Sequence, residues 1–152
     1  MNATLDNIEA LETLPVKIIY VGETARDGDW RCDQWRVELQ SKAGFWSTDY
    51  FTGLGRRSRI YVDCGKNWDP IRKKSYEENP KKPKIADVLH SLIMDASAAD
   101  ENFHAWCSNY GYSDDSIKAL NIYKACLETA HALRKHLPPE TLRQARELLQ
   151  DY

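Results

Sequence analysis

The residues of this chain whose type and spacing suit binding chemistry are basic, and they are clustered. Ten of its 21 Lys and Arg side chains fall within Arg56–Lys84, which reads RRSRIYVDCGKNWDPIRKKSYEENPKKPK. Arg56, Arg57, Arg59, Lys66, Arg72, Lys73, Lys74, Lys81, Lys82 and Lys84 outnumber four acids there, a net of +6. Residues 1–55 and 85–152 each carry −4, so the total of −2 hides a cationic belt between two acidic segments. Charge segregation of this kind speaks to partners rather than to fold. The Arg56-Arg57-x-Arg59 group suits a bidentate grip on phosphate oxygens. Tyr61, Trp68 and Tyr76 lie among the bases as platforms on which nucleobases can stack. Two partners fit such a belt: nucleic acid, or an acidic or nucleic-acid-binding surface of a host enzyme. A solvated loop whose lysines confer solubility explains the same composition without any partner.

Other constellations are weaker. His104 and Cys107 stand one turn apart on a helical face, with Cys126 and His131 on the next helix, and four such ligands suit tetrahedral zinc. Their spacing matches no closed zinc pattern, and Cys107 shares its apolar stripe with Phe103 and Trp106. No metal or other cofactor is therefore expected. His90, His104, His131 and His136 all fall on expected helices, away from the strand ends and tight turns that expose a nucleophile. Asp114-Asp115 suits a helix N-terminus better than a paired carboxylate site. Gly53-Leu54-Gly55 is too short to cradle a phosphate. These absences point away from an enzyme. Of the five tryptophans, Trp35, Trp46 and Trp106 read as core, with Trp35 and Trp46 expected on facing positions of adjacent strands. Trp30, expected in a turn, and Trp68, in the basic stretch, have no core rationale and are the candidate interface anchors.

Length and composition place these residues on one ordinary domain. At 152 residues, with 42% hydrophobic and 29% charged side chains, the chain is neither disordered nor fibrous in character. The apolar runs are too short to cross a bilayer, and the N-terminus MNATLDNIEALETL lacks the features of a signal peptide. A cytoplasmic protein is expected, with no membrane contact. Cys32, Cys64, Cys107 and Cys126 include no C-x-x-C pair and read as reduced thiols.

The elements follow from periodicity. Thr4 is the expected cap of a short helix carrying Leu5, Ile8, Leu11 and Leu14, stopped by Pro15. Val16–Glu23, Gln34–Gln40 and Phe45–Phe51 read as strands, the last two joined by a turn at Ser41-Lys42-Ala43-Gly44. Ile60, Val62 and Cys64 alternate as a short fourth strand, followed by a proline-interrupted loop. Then the period changes to helical. Ile85, Val88, Leu89, Leu92, Ile93 and Ala96 share one face, with Pro83 marking the start. Phe103, Trp106, Cys107 and Tyr110 form a second helix that Gly111 stops. Ser113-Asp114-Asp115 is expected to open a third, whose seam is Leu120, Tyr123, Leu127, Ala130, Leu133 and Leu137. Pro138-Pro139 ends that helix and starts a last one bearing Leu142, Ala145, Leu149 and Tyr152. Its apolar positions leave two readings, completion of the core or pairing with a second copy as a homodimer.

Strands followed by helices indicate an α+β fold. The expected architecture is a three- to four-stranded antiparallel sheet with three to four helices packed on one face. The whole of 1–152 is read as one domain, with 1–55 as a β-meander, 56–84 as a basic insertion and 85–152 as a helical half.

The helical half resembles a group of small phage and prophage proteins. Their pattern is P-x-x-x-D-V-L-x-x-L-x-x-D-A, then F-x-x-W-C, then G-Y-x-x-D-S-x-K-A, then Y-x-x-C. This chain matches at Pro83, Asp87, Val88, Leu89, Leu92, Asp95 and Ala96, and again at Phe103, Trp106 and Cys107. It matches also at Gly111, Tyr112, Asp115, Ser116, Lys118, Ala119, Tyr123 and Cys126, and Thr52-Gly53-Leu54-Gly55 is similar to the strand end that precedes that pattern. It departs from the group by interposing most of Arg57–Lys82. The resemblance implies a mobile-element origin. Phage accessory proteins of this size commonly bind and disable host machinery, and anti-CRISPR proteins are one such class. The expectation is therefore a non-enzymatic inhibitor of a host protein or nucleoprotein defence complex, with a nucleic-acid-binding accessory protein as the alternative.

Overall fold

Apolar residues at every second position build a half-covered sheet. In the computed structural model, which describes residues 5–26, 30–52 and 81–152, three strands form an antiparallel meander in the order β1-β2-β3. They are β1 (Val16–Arg26), β2 (Trp30–Ser41) and β3 (Gly44–Thr52). Val16 lies opposite Leu39, Ile18 opposite Val37 and Tyr20 opposite Trp35. Trp35 lies opposite Tyr50, and Leu39 opposite Trp46. The two tryptophans share the core face but not a rung, which corrects the expectation that they face each other.

The first two strands run further than their alternation suggests. The ladder continues to Arg26 opposite Trp30, so Trp30 opens β2 instead of lying in a turn. Strand pairing is made by backbone N–H and C=O groups, and polar residues such as Glu23, Thr24 and Asp33 can extend it. Val21 is the extra residue of a bulge, since Tyr20 pairs with Trp35 and Gly22 with Gln34. Gly22 has φ +142°, a backbone conformation that glycine adopts without a Cβ penalty. The expected fourth strand at Ile60–Cys64 lies outside the described residues.

Before the sheet, the expected short helix is a 3-10 helix over Ile8–Thr13. Asn7 caps it, accepting from the Ala10 N–H at 3.0 Å, while Thr4 lies outside the described residues. This segment is tied to the far half of the chain. Glu12 Oε1 accepts from the Ile85 N–H at 3.1 Å, and Gln144 Oε1 from the Leu5 N–H at 2.9 Å.

Among the described residues four α-helices follow the sheet: α1 (Ile85–Ala96), α2 (Phe103–Tyr110), α3 (Ile117–His136) and α4 (Pro139–Leu148). Gly111 ends α2 at φ +73°, as its sequence position predicts. Ser116 caps α3, accepting from the Ala119 N–H at 3.2 Å, so the helix starts later than Ser113. Pro139 stands in the first turn of α4.

One apolar core joins the inner sheet face (Ile18, Trp35, Val37, Leu39, Tyr50) to Leu89 and Leu92 of α1, Ala130 and Leu133 of α3 and Leu142 and Ala145 of α4. Full burial of one such leucine stabilises the fold by about 1.5–3 kcal/mol. Leu149 belongs to this core as well, so the last helix completes it from within one chain. A second cluster gathers Ala98, Trp106, Cys107, Ala119 and Cys126.

The α3 seam matches expectation in its second half, where Ala130, Leu133 and Leu137 are buried, and differs in its first. Leu120, Tyr123 and Leu127 are half-buried, whereas Ala119, Cys126, Thr129, Ala132 and His136 are buried. Helix α3 packs against both α1 and β2. Small side chains at such contacts let the backbones approach closely, and large ones are turned toward the margins.

Candidate partner-binding site

The strand register and the start of α1 bring Thr52 and residues 81–84 to one place. β3 ends at Thr52, and residues 81–84 lead into α1. Thr52 and Tyr50 line a cleft of about 230 Å³ together with Lys81, Lys82, Lys84 and Asp87. Thr52 and Lys81, the described residues on either side of 53–80, therefore lie at one cleft, and the elements beneath them form its base.

The base is held by packing and by hydrogen bonds. Trp35 Nε1 donates to Thr52 Oγ1 at 2.8 Å, and the Trp35 ring tilts against Tyr20 at 4.9 Å between centroids. Tyr20 Oη donates to Asp33 Oδ1 at 3.0 Å. Asp33 is only 2% exposed. Burial pushes its carboxyl above the usual aspartate range; the tyrosine hydroxyl opposes this, and the Glu23 charge adds to it. On the α1 side, Asp87 Oδ2 accepts from the Lys84 N–H at 3.1 Å, and its other oxygen accepts from Tyr152 Oη. One carboxylate thus fixes the start of α1 and the chain's last residue.

Three of the expected partner-binding residues are placed by this geometry. Lys81, Lys82 and Lys84 are exposed at the cleft and form no ion pair among the described residues. Their ammonium groups are point charges suited to phosphate or carboxylate oxygens. Arg56, Arg57, Arg59, Lys66, Trp68, Arg72, Lys73 and Lys74 lie outside the described residues. Trp30 is placed only by its backbone, at the end of β2 opposite Arg26. The outer sheet face is mixed: Lys17, Gln40, Ser47 and Asp49 are exposed and Arg36 pairs with Glu38 at 3.2 Å, but Phe45 and Phe51 share that face.

The alternative constellations come apart or change character. His104 Nδ1 meets Asp114 Oδ2 at 2.8 Å on the surface, while Cys107 and Cys126 are buried in the aromatic cluster. Burial raises the Cys107 thiol above its ordinary value, with Asp114 adding to the effect. Among the described residues no three His, Cys, Asp or Glu side chains converge as metal ligands.

One pairing was not foreseen: Ser41 Oγ lies 2.8 Å from His136 Nδ1. Ser41 stands in the expected hairpin turn and His136 next to seam residue Leu137. Nothing in sequence marks two residues so far apart as neighbours. Among the described residues no carboxylate hydrogen-bonds His136, so the orienting third member of a nucleophilic triad is missing there.

No helix among the described residues is long and apolar enough to cross a membrane. No protein-family model, no curated protein and no solved structure matches this chain.

Proposed function

We propose that this chain is a non-enzymatic binding protein of phage or mobile-element type that inhibits a host factor through its basic insertion. A nucleoprotein defence complex, such as a CRISPR effector, is the target class that fits best. The observation that carries this reading is the convergence of Thr52 with Lys81, Lys82 and Lys84 on one cleft. It supports a cationic segment, three of whose bases are exposed at one cleft, on an otherwise acidic chain. Such a segment competes for surfaces that ordinarily hold a nucleic-acid backbone.

The test is capture from host lysate with the wild-type chain and with a variant in which residues 66–82 are replaced by a Gly-Ser linker. Retention by the wild type alone is the expected result. A second variant reverses Arg57, Arg59, Arg72, Lys73 and Lys74 to Glu, and unchanged capture by it would remove the insertion from the mechanism. Direct nucleic-acid binding is the second reading, favoured by the aromatic residues among the bases. It predicts that affinity for short oligonucleotides falls steeply between low and physiological salt.

A further inference from the structure

A second cleft, remote in sequence from the basic insertion, lies between the β2–β3 hairpin and the C-terminal half of α3. It measures about 380 Å³, and Phe45, Trp46, Leu127, His131, Lys135 and His136 line it. That volume falls in the range of small-molecule sites, which are mostly apolar with a few convergent polar groups. Phe45 is 57% exposed at the mouth, and Trp46 is half-buried beside it. Phe45 and Trp46 are successive β3 residues and project to opposite faces of the sheet, so Trp46, on the core face opposite Leu39, is the ring that offers a surface for a flat ligand.

The polar groups are ordered along the helix. His136 is 5% exposed, and its ring orientation is set by Ser41 at 2.8 Å. Lys135 is exposed and has no ion-pair partner among the described residues. Glu128 also lines the cleft. It stands seven positions before Lys135, about 10 Å along the helix axis at 1.5 Å per residue. Positive charge therefore occupies one end of an apolar cleft and negative charge the other.

We propose that this cleft binds a small planar aromatic acid, with its ring against Trp46 and Leu127 and its carboxylate at Lys135. An anion at that end avoids Glu128, whereas a cation would need the reverse orientation and would leave the free ammonium of Lys135 facing apolar ring atoms.

The test uses the full chain and naphthoate, with naphthalenemethanol as its uncharged isostere. Binding is followed through the indole N–H resonance of Trp46. Saturable, submillimolar binding of the acid is expected, with the alcohol roughly tenfold weaker. Lys135→Gln should bring the acid down to the alcohol's affinity and leave the alcohol unchanged. Leu127→Trp, which fills the cleft, should abolish both. Should that variant fail to fold, Leu127→Phe, which fills less of the cleft, should weaken both ligands. The proposal is overturned by absence of a saturable Trp46 shift at millimolar ligand, by equal affinity for acid and alcohol, or by a Lys135→Gln variant that holds the acid as the wild type does.

Discussion

Ser41 Oγ and His136 Nδ1 stand 2.8 Å apart, joining the β2–β3 hairpin to the last turn of α3. Ser41 Oγ also accepts from the Ala43 N–H at 3.1 Å. A hydroxyl that accepts there and donates its one proton to Nδ1 satisfies both contacts with a neutral imidazole. Burial holds the His136 pKa below its ordinary value, and the adjacent Lys135 charge adds to this.

The sign of the pH dependence follows. The unfolded chain binds a proton at His136 as pH falls through about 6.5, while the folded chain resists it. Stability should therefore fall as pH drops below that value, by up to about 1.4 kcal/mol per pH unit until the folded form also titrates. His136→Asn keeps an acceptor for Ser41 and should flatten this limb. Urea midpoints between neutral and mildly acidic pH measure the effect; His131 and Glu128 also face the cleft and belong in the controls.

Asp33 gives the opposite dependence. Its pKa is raised by burial, against the pull of the Tyr20 hydroxyl, so the folded state favours the neutral acid. Its contribution is present at acidic pH and is lost as pH rises through the window above about 3.9. Asp33→Asn retains an acceptor for Tyr20 and removes the buried charge. A higher melting temperature at neutral pH is expected, with the gain shrinking in acid. Tyr20→Phe removes the donor and should cost about 1–3 kcal/mol.

Trp106 is fully buried, and Tyr112 stacks on it at 5.3 Å and 6° between planes. Phe103, Tyr110 and Tyr123 tilt or stack around the same ring. Its Nε1–H is buried with no acceptor among the described residues. Two terms therefore oppose each other at this position. Trp106→Ala should cost about 3–5 kcal/mol through lost contact and cavity. Trp106→Phe keeps an aromatic ring and deletes the uncompensated donor, so its cost should be less than half of that. Comparable urea midpoints for the two variants would refute the assignment of Nε1 as unsatisfied.

What sequence reveals here depends on how local the signal is. The alternation of Trp35, Val37 and Leu39, the Gly111 stop and the Pro139 start are dictated by their own neighbours, and the structure matches each. Apolar size indicates burial for Leu133 and Leu137 of the α3 seam but not for Leu120 and Leu127, because a helix packed on two sides buries Ala119, Cys126 and Ala132 and leaves the larger pair at the margin. Trp30 lies in a strand and not in a turn because the ladder outlasts the apolar pattern. At the candidate site, charge alone marked Lys81, Lys82 and Lys84. Their neighbour Thr52 and the supporting Asp33–Tyr20 pair follow from strand register, which no short-range pattern encodes.

The start of α3 offers a sharp test of local reading against structure. Ser113, Asp114 and Asp115 carry the residue types of a helix start, yet the chain turns there first, with the Ser116 N–H donating to the Ser113 carbonyl at 3.1 Å. Ser113 Oγ is used within that turn, donating to Asp115 Oδ1. Ser116 is the residue whose hydroxyl satisfies a first-turn N–H of α3, at Ala119. Ser116→Ala should therefore cost about 1 kcal/mol. Ser116→Asp should retain most of the stability, because a carboxylate accepts the same hydrogen bond and complements the positive end of the helix dipole. Ser113→Ala, at an exposed turn, should stay within about 0.5 kcal/mol of wild type. Chemical denaturation of the three variants decides it: equal losses at Ser113 and Ser116 would mean that the helix begins where the residue types alone suggest.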